Sequence, residues 1–384
     1  MRRTPKENIN QSFINLIRKA HGLIENSDIE KHRHSQDQMG ALFGNSREVA
    51  VTETTVGSMY AEWIRVDRPH SGKKIILYCH GGGYSTGSPL YARTLTTKLA
   101  SQLSMDVFCF DYRLAPEHPY PAAVDDAQAA WDYLMLQGYG AKDIFVAGDS
   151  AGGNLALALG LRLKKQKRML PAGFVLMSPW TDLTVSGKTH ETKADVDPVL
   201  NQNYLNEMIE NYVPQAKKVQ MEAVKPLQEA GTLQEGNTIQ AASTLREANA
   251  LQEGNTIQAA DTLQERNTLQ TANTLQTAGT EKQKPGDKSA NKVFEEIFDT
   301  EYLRNPEISP LFGDFTGFPP TYIQVGDLEV LMSDSTMLQK KMSGNGVAVS
   351  LDTYKNMWHV FQMGPFKTAV EAIHKCGEFI YSVQ

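Results

Sequence analysis

The stretch DIFVAGDSAGGNLALALGLRLKKQ, residues 143–166, decides the fold of this chain. It opens as a short apolar run typical of a buried strand, turns at Gly148, and continues with the apolar spacing of a helix. The turn GDSAGG at 148–153 matches the pattern G-x-S-x-G, which lifts a serine hydroxyl above a sheet. A phosphate-binding turn is the alternative, but this stretch lacks the P-loop lysine and the third glycine of a dinucleotide fingerprint. The pattern therefore predicts Ser150 as a nucleophile at the positive end of the following helix.

Strands and helices alternate on both sides of this turn. Short apolar runs of the buried-strand type occur at IILYC, MDVFCFDY, GFVLMS and YIQV. Helical patterns lie between or beside them, at residues 8–32, 124–136 and 199–213, and a last one closes the chain. Such alternation predicts an α/β fold with a mostly parallel central sheet and helices on both faces.

Three consecutive glycines follow the strand IILYC, in the sequence HGGGY at residues 80–84. Their backbone N–H groups are free of side-chain crowding and suit an oxyanion that develops during acyl transfer. A mobile glycine loop is the alternative, but the downstream serine turn favours an oxyanion hole. We predict that the amides of Gly82, Gly83 and Ala151 form it.

A serine hydroxyl needs a base, and His359 is the predicted one. It lies in NMWHVF, residues 356–361, after the last predicted strand, where the chain order serine, acid, histidine places the base. A packed core histidine is the alternative reading of a His among aromatic residues. His80 is the main rival, but it adjoins the glycine loop and is expected to orient that loop.

The triad acid is expected after the strand YIQV. Asp327, Glu329 and Asp334 are the candidates there, and either carboxylate type can hold a histidine in the required tautomer. Asp334 falls in the next predicted helix and is the poorer candidate. Local sequence does not separate Asp327 from Glu329.

Composition and charge exclude several other classes of protein. The hydrophobic fraction of 41% is that of a globular chain, and the net charge of −6 argues against a nucleic-acid binder. The three cysteines form no disulfide framework or metal-binding spacing. The N-terminus lacks the apolar region of a secretory signal, and no apolar run is long enough to span a bilayer. We therefore expect a cytoplasmic protein without a membrane span, and a homodimer is left open.

A low-complexity tract interrupts the pattern. From Pro226 a six-residue unit such as TLQEGN recurs nine times, and LQEGNTIQAA appears twice without change. One large apolar residue in six offers too little burial to offset the entropy of ordering. We predict a flexible insertion with no assignable partner, and a β-solenoid or a helical excursion is the alternative.

Taken together, these motifs resemble the hormone-sensitive lipase family of bacterial esterases. The matching segments cover roughly residues 45–213 and 297–384. They are HGGGY at 80–84, DYRLAPEHPYPAAVDD at 111–126, GDSAGGNLA at 148–156, SPWTDL at 178–183, SPLFGDFTGFPPTYIQVG at 309–326 and MWHVF at 357–361. The resemblance implies the α/β-hydrolase fold with a small helical cap, and ester hydrolysis without a cofactor or metal.

The resemblance also bears on the acid and the cap. The family places its acid two residues before a leucine, which here is Leu331, so the matching position is Glu329 instead of the commoner aspartate. Tyr84 is a candidate substrate contact, with Tyr204 and Met208 of the cap beside it, although packing is the alternative for each. The implied segments are an N-terminal cap at 1–45, core at 46–213, the insertion at 214–296 and core at 297–384.

The expected activity is hydrolysis of a small-molecule carboxylic ester with a short to medium acyl chain, through an acyl-enzyme. A lactone hydrolase or an N-deacetylating amidase would use the same triad, so the sequence leaves both open. A non-catalytic receptor on the same scaffold is a remote alternative. Such receptors lose the catalytic histidine, whereas this chain retains one at position 359.

Overall fold

The structure is a computed structural model, and it divides the chain into two units. One comprises residues 1–218 and 288–384, and the other comprises residues 219–287. The predictions for the six-residue repeats lie outside the described residues and stay predictions. The structure describes residues 14, 18, 19, 28–44, 46, 48–66, 68, 73–218 and 289–383.

The first unit is built on one sheet. Its strands are β1 (Val49–Val56), β2 (Met59–Val66), β3 (Ile75–Cys79), β4 (Asp106–Phe110), β5 (Ile144–Asp149), β6 (Gly173–Met177), β7 (Thr321–Gly326) and β8 (Val349–Tyr354). Their spatial order is β1-β2-β4-β3-β5-β6-β7-β8. Strand β2 pairs antiparallel with β1 and β4, and the remaining pairs are parallel. The predicted mostly parallel sheet is confirmed.

Helices cover both faces of this sheet, as predicted. They are α1 (Ile29–Phe43), α2 (Pro89–Leu103), α3 (Ala122–Leu136), α4 (Ala151–Lys165), α5 (Thr189–Thr192), α6 (Gln202–Tyr212), α7 (Ser289–Ile297), α8 (Thr300–Leu303), α9 (Met332–Gly344) and α10 (Lys367–Ser382). Of these described helices, none combines the length and apolar character that crossing a membrane requires.

The two sides of β3 show why the strands read as continuous apolar runs. Ile75 and Leu77 join a core shared with α3, α4 and α9, whereas Ile76 and Tyr78 face a second core with α2 and α10. Successive side chains of a strand point to opposite faces, so a strand covered on both faces needs apolar residues at every position. Because β3 to β8 pair in parallel, their carboxyl ends lie at one edge of the sheet.

The described cap helix at the N-terminus differs from the predicted one. We expected a helix over 8–32, whereas α1 begins after Asp28, whose side chain accepts a hydrogen bond from the Glu30 N–H at 3.0 Å. Asp28 is a favourable N-cap, and it starts a new helix where the apolar pattern had suggested one helix ending. Arg33 then anchors α1 to the core through the carbonyl oxygens of Ser85 and Ala115.

Described residues on both margins of the insertion predicted at 214–296 pair with each other. The Lys218 N–H donates to the Ile297 carbonyl at 2.8 Å, and the Asp299 N–H donates to the Ala216 carbonyl at 2.7 Å. Phe294 on α7 is 4% exposed and packs in the main core. Residues on both margins of the predicted insertion therefore belong to the first unit, because they pair with each other and bury apolar side chains.

Candidate active site

Ser150 stands at the sharp turn between β5 and α4. Its backbone has φ 54° and ψ −122°, a conformation that is rare for a residue with a side chain. The surrounding chain holds it there, since the Ser150 N–H donates to the Met177 carbonyl and the Trp180 N–H donates to the Ser150 carbonyl. A Cβ on Gly152 would lie 2.0 Å from the Cys79 carbonyl oxygen, so only glycine allows this close approach. Such retained strain is typical of functional sites.

The glycine loop after β3 turns back on itself beside this serine. Gly82 has φ 116°, and its carbonyl accepts hydrogen bonds from the Ser85 and Thr86 N–H groups at 3.1 and 2.9 Å. Within the described residues, the N–H groups of Gly82, Gly83 and Ala151 donate to no protein acceptor. The three predicted oxyanion donors are therefore available to a ligand.

His80 orients the glycine loop, as the sequence predicts. Its ring stacks on Tyr112 with centroids 4.0 Å apart, and its Nδ1 lies 2.9 Å from the Gly81 carbonyl oxygen. Burial lowers the pKa of His80 to about 4, so the ring is neutral near pH 7 and Nδ1–H donates to that carbonyl.

Asp149, the residue before Ser150, ties the glycine loop to the serine turn. Its Oδ1 accepts hydrogen bonds from the Tyr78 hydroxyl at 2.6 Å and from the Gly81 N–H at 3.0 Å. Burial raises the pKa of Asp149 to about 6, although both donors oppose that shift. The local signal of this role is the position of Asp149 inside the serine motif GDSAGG.

His359 and Glu329 form a buried pair at the same edge of the sheet. His359 Nδ1 lies 3.1 Å from Glu329 Oε2, and the two side chains are 6% and 0% exposed. Glu329 Oε1 accepts a hydrogen bond from the Gly326 N–H at 2.6 Å. Burial lowers the pKa of His359, but the hydrogen bond to Glu329 and its charge outweigh burial and leave that pKa raised.

The other two candidate acids serve different contacts. Asp327 is half-buried, and its Oδ1 accepts a hydrogen bond from the Asn356 N–H at 2.6 Å, which closes the turn after β8. Asp334 is fully buried on α9, where its Oδ1 accepts from the Thr181 N–H and its Oδ2 lies 3.6 Å from His190. Of the three carboxylates, Glu329 is the one hydrogen-bonded to His359.

Ser178, directly after β6, is a site residue that sequence reasoning missed. Its buried hydroxyl donates to Glu329 Oε1 at 2.7 Å and accepts from the Val360 N–H at 3.2 Å. It therefore joins the carboxylate to the loop that carries His359. Its position in SPWTDL and its φ of 48° are the only local signs of this role.

Asp197 is a second carboxylate near His359 that the sequence did not indicate. It is 6% exposed, and its oxygens accept backbone N–H groups from Val199, Leu200 and Val330. Burial raises the pKa of Asp197 to about 6, and the charge of His359 opposes that rise. Because Val330 follows Glu329, Asp197 also fixes the backbone on the carboxyl side of the acid.

Tyr84, a predicted substrate contact, is placed in the interior. Its side chain has no exposed surface, its ring stacks on Tyr212 at 3.6 Å, and its hydroxyl donates to Asn154. This burial favours the packing alternative for Tyr84. Met208 on α6 is the cap residue beside the glycine loop, since a Cβ on Gly83 would lie 2.7 Å from its Cγ.

The described residues contain no cluster of three histidine, cysteine or acidic side chains that could hold a metal ion. The three cysteines are buried, and burial raises the pKa of each thiol. These thiols are therefore protonated near pH 7 and make poor nucleophiles. Serine, histidine and carboxylate chemistry is what this site offers.

Comparison with known proteins connects this geometry to ester hydrolysis. A family model described as the alpha/beta hydrolase fold matches residues 76–248 and 238–363. The chain is 30% identical to an esterase of Acinetobacter venetianus, over 90% of this chain and 87% of that protein. It is also 30% identical to an acetyl-hydrolase of Streptomyces hygroscopicus, over 88% of this chain and 83% of that protein.

Solved structures agree with these relatives. A crystal structure of an esterase from the bacterial hormone-sensitive lipase family has a TM-score of 0.70 at 25% identity, covering 100% of this chain and 99% of that one. A hormone-sensitive lipase from a metagenome library has a TM-score of 0.69 at 30% identity, covering 97% of each. The predicted fold and family are confirmed. The chain therefore belongs to the hormone-sensitive lipase family of the α/β-hydrolase fold and is a serine ester hydrolase.

Proposed function

We propose that this enzyme hydrolyses esters of short- to medium-chain carboxylic acids through a Ser150–His359–Glu329 triad and a covalent acyl-enzyme. One observation carries the proposal, the 3.1 Å contact between His359 Nδ1 and Glu329 Oε2. With Nδ1–H donated to a carboxylate, the Nε2 of neutral His359 has a free lone pair that can accept a proton. Ser150 is the hydroxyl that a base at this edge of the sheet would serve.

The acylation step uses each group once. His359 Nε2 removes the proton of the Ser150 hydroxyl as its oxygen attacks the ester carbonyl, and Glu329 stabilises the imidazolium that forms. The negative charge on the carbonyl oxygen is met by the amides of Gly82, Gly83 and Ala151, which have no protein acceptor. The tetrahedral intermediate collapses, the C–O bond to the alcohol breaks, and His359 protonates the departing alcohol.

Deacylation repeats the sequence with water as the nucleophile. His359 takes a proton from water as the water oxygen attacks the acyl carbonyl, and the same three amides bind the second oxyanion. Collapse breaks the bond to Ser150 Oγ, which recovers its proton from His359.

A short to medium acyl chain is supported from the cap side of the site. Met208 is 3% exposed and packs against Gly83, so a side chain of α6 lies against the glycine loop. The acetyl-hydrolase of Streptomyces hygroscopicus, at 30% identity, supports a small acyl group as well. We propose that p-nitrophenyl acetate and butyrate are turned over with a higher kcat/KM than the octanoate.

The test compares Ser150→Ala with the parent enzyme on these three esters, with a lactone and an arylacetamide alongside. We expect Ser150→Ala to lower kcat by at least ~10³-fold, because no hydroxyl remains to be acylated. Ser343→Ala is the matched control, since Ser343 is exposed at the end of α9 and should retain parental kcat. Parental activity in Ser150→Ala would contradict the mechanism, and a preference for the lactone or the amide would replace the proposed substrate class.

A further inference from the structure

We infer that Lys98 is a positioning residue for the catalytic base, holding the backbone loop that carries His359. The inference rests on the proposed role of His359. Lys98 lies on α2, and its Nζ donates hydrogen bonds to three successive carbonyl oxygens, those of Gln362 at 3.0 Å, Met363 at 2.7 Å and Gly364 at 2.9 Å. An ammonium group has three N–H donors, so Lys98 uses all of them on this one loop.

The three carbonyls end a single 3₁₀ turn, Phe361–Met363, that begins two residues after His359. Within the turn the Gly364 N–H donates to the Phe361 carbonyl at 2.9 Å, and the later carbonyls have no N–H of the turn left to bind. Cationic side chains are favourable at such carboxyl ends because they satisfy the carbonyls and oppose the dipole. Lys98 is therefore the C-terminal cap of the histidine loop.

This cap is one of two anchors on the segment that follows the base. Directly after His359, the Val360 N–H donates to Ser178 Oγ, and further along Lys98 holds residues 362–364. The Gln362 side chain also donates to Gln324 Oε1 at 3.0 Å, which ties the turn to β7. Without Lys98 the turn would lose three charge-assisted hydrogen bonds, and the ring of His359 would lose its fixed position.

The same helix also begins directly after the glycine loop. Ser88 caps α2 through its side chain, which accepts the Tyr91 N–H at 3.1 Å, and residues 81–87 precede it. The Tyr91 hydroxyl in turn lies 3.4 Å from Met363 Sδ, a second contact from α2 to the histidine loop. Helix α2 thus connects the proposed oxyanion donors to the base as one rigid element.

The ammonium group of Lys98 binds backbone carbonyl oxygens and not a carboxylate. Among the described residues it takes part in no ion pair, and its Nζ faces the three carbonyls. Burial lowers the pKa of Lys98 to about 8. A neutral amine has two N–H donors, so above pH 8 the group can hold at most two of the three carbonyls. The carboxylates that act on His359 are Glu329, Asp197 and Asp149. Burial raises the pKa of Asp197 and of Asp149 to about 6, so neither produces this alkaline change.

The experiment measures kcat and KM for p-nitrophenyl butyrate from pH 6 to 10 in Lys98→Met and Lys98→Arg, with circular dichroism at each pH. We expect Lys98→Met to lower kcat by about ten- to a hundredfold at pH 7, because a base displaced by about 1 Å loses this much rate. KM should stay within about twofold, since Lys98 does not contact the substrate. Lys340→Met, at an exposed position on α9, is the control and should keep parental kcat.

The pH profile separates positioning from general stability. The parent kcat should fall as pH rises through about 8. Lys98→Arg should recover part of the kcat that Lys98→Met loses, and its kcat should not fall above pH 8, because a guanidinium stays charged. A lysine whose pKa is lowered on folding destabilises the fold while protonated, so its deprotonation does not itself unfold the chain. The loss of kcat should therefore occur without loss of ellipticity.

Parental kcat in folded Lys98→Met would overturn the inference. If that variant does not fold, identical alkaline profiles in the parent and Lys98→Arg would overturn it instead. His359→Gln distinguishes this outcome from failure of the proposed function. If His359→Gln is inactive and Lys98→Met is unaffected, only the role inferred for Lys98 is wrong. If His359→Gln is active, the proposal that His359 is the base is wrong.

Discussion

Replacing Glu329 by glutamine is the substitution that most directly tests the proposed acid. The side chain keeps its shape and loses its charge. The structure determines which way the new amide must point, because Glu329 Oε1 accepts hydrogen bonds from the Gly326 N–H at 2.6 Å and from the Ser178 hydroxyl at 2.7 Å. Only the carbonyl oxygen of a glutamine can occupy that position.

The size of the effect follows from this arrangement. Turning the amide over would leave two buried donors unsatisfied, at about 1–3 kcal/mol each, or about 2–6 kcal/mol in total. The NH₂ group of Glu329→Gln must therefore face His359 Nδ1, which then accepts a hydrogen bond and leaves the ring proton on Nε2. That tautomer cannot take a proton from Ser150. The equivalent change in another serine hydrolase lowers kcat by about 10⁴, and we expect a fall of about 10³- to 10⁴-fold here.

The assay is steady-state hydrolysis of p-nitrophenyl butyrate, with Asp327→Asn as the matched control. Within the part of the chain that the structure describes, the Asp327 side chain accepts one hydrogen bond, from the Asn356 N–H. An asparagine oxygen can accept the same hydrogen bond. We expect Asp327→Asn to keep a kcat within about threefold of the parent, because its hydrogen bond to the Asn356 N–H is retained and it does not contact His359. A Glu329→Gln enzyme within tenfold of the parent, or a larger loss in Asp327→Asn, would refute the assignment of the acid.

The same two variants should differ in how kcat/KM depends on pH. The pKa of His359 is raised above 6.5, because the hydrogen bond and charge of Glu329 outweigh burial. Protonated His359 cannot act as a base, so the kcat/KM of the parent should be lost as pH falls through that raised pKa. In Glu329→Gln the acid limb should move to lower pH, whereas Asp327→Asn should leave it in place. A limb that does not move in Glu329→Gln would contradict the coupling.

Two predictions concern the glycine loop and the insertion. Gly82→Ala should lower kcat by about 10²-fold, because its Cβ would lie 2.2 Å from the Thr86 carbonyl oxygen and displace the oxyanion amides. Gly57→Ala is the kinetic control, because Gly57 also has a positive φ and an added Cβ would have no atom within 4 Å. Equal losses of kcat in the two variants would exclude the oxyanion explanation. Deleting residues 219–287 should preserve kcat and the melting temperature. Deleting 215–296 should lower the melting temperature, because it removes the buried Phe294 and the pairing of residues 216 and 218 with residues 299 and 297. Loss of activity in the shorter deletion, with the remainder folded, would show that the tract is required.

The serine turn, the glycine loop and the histidine loop were predictable because each depends on short-range chemistry. Gly152 must be a glycine to let its backbone approach the Cys79 carbonyl, and Gly82 requires a positive φ, so both leave a local mark in the sequence. The mostly parallel sheet was also predictable, because strands such as β3 are buried on both faces and therefore appear in the sequence as continuous apolar runs. The start of α1 was missed because a single side-chain cap at Asp28, and not apolar periodicity, determines it.

Local sequence does not separate Glu329 from Asp327; the family resemblance selects Glu329, and the tertiary structure gives the physical difference between them. Both follow β7 in the same segment, and the difference is that Glu329 turns inward to His359, Ser178 and the Gly326 N–H. Ser178 is 151 residues from Glu329 in sequence, and Lys98 is 264 residues from Gln362. Contacts over such separations have no periodicity or turn pattern of their own, because packing of the sheet and helices creates them. The sequence by itself therefore predicted the fold, the proposed nucleophile and the proposed base, and the folded chain shows which carboxylate, hydroxyl and ammonium group contact His359 or its loop.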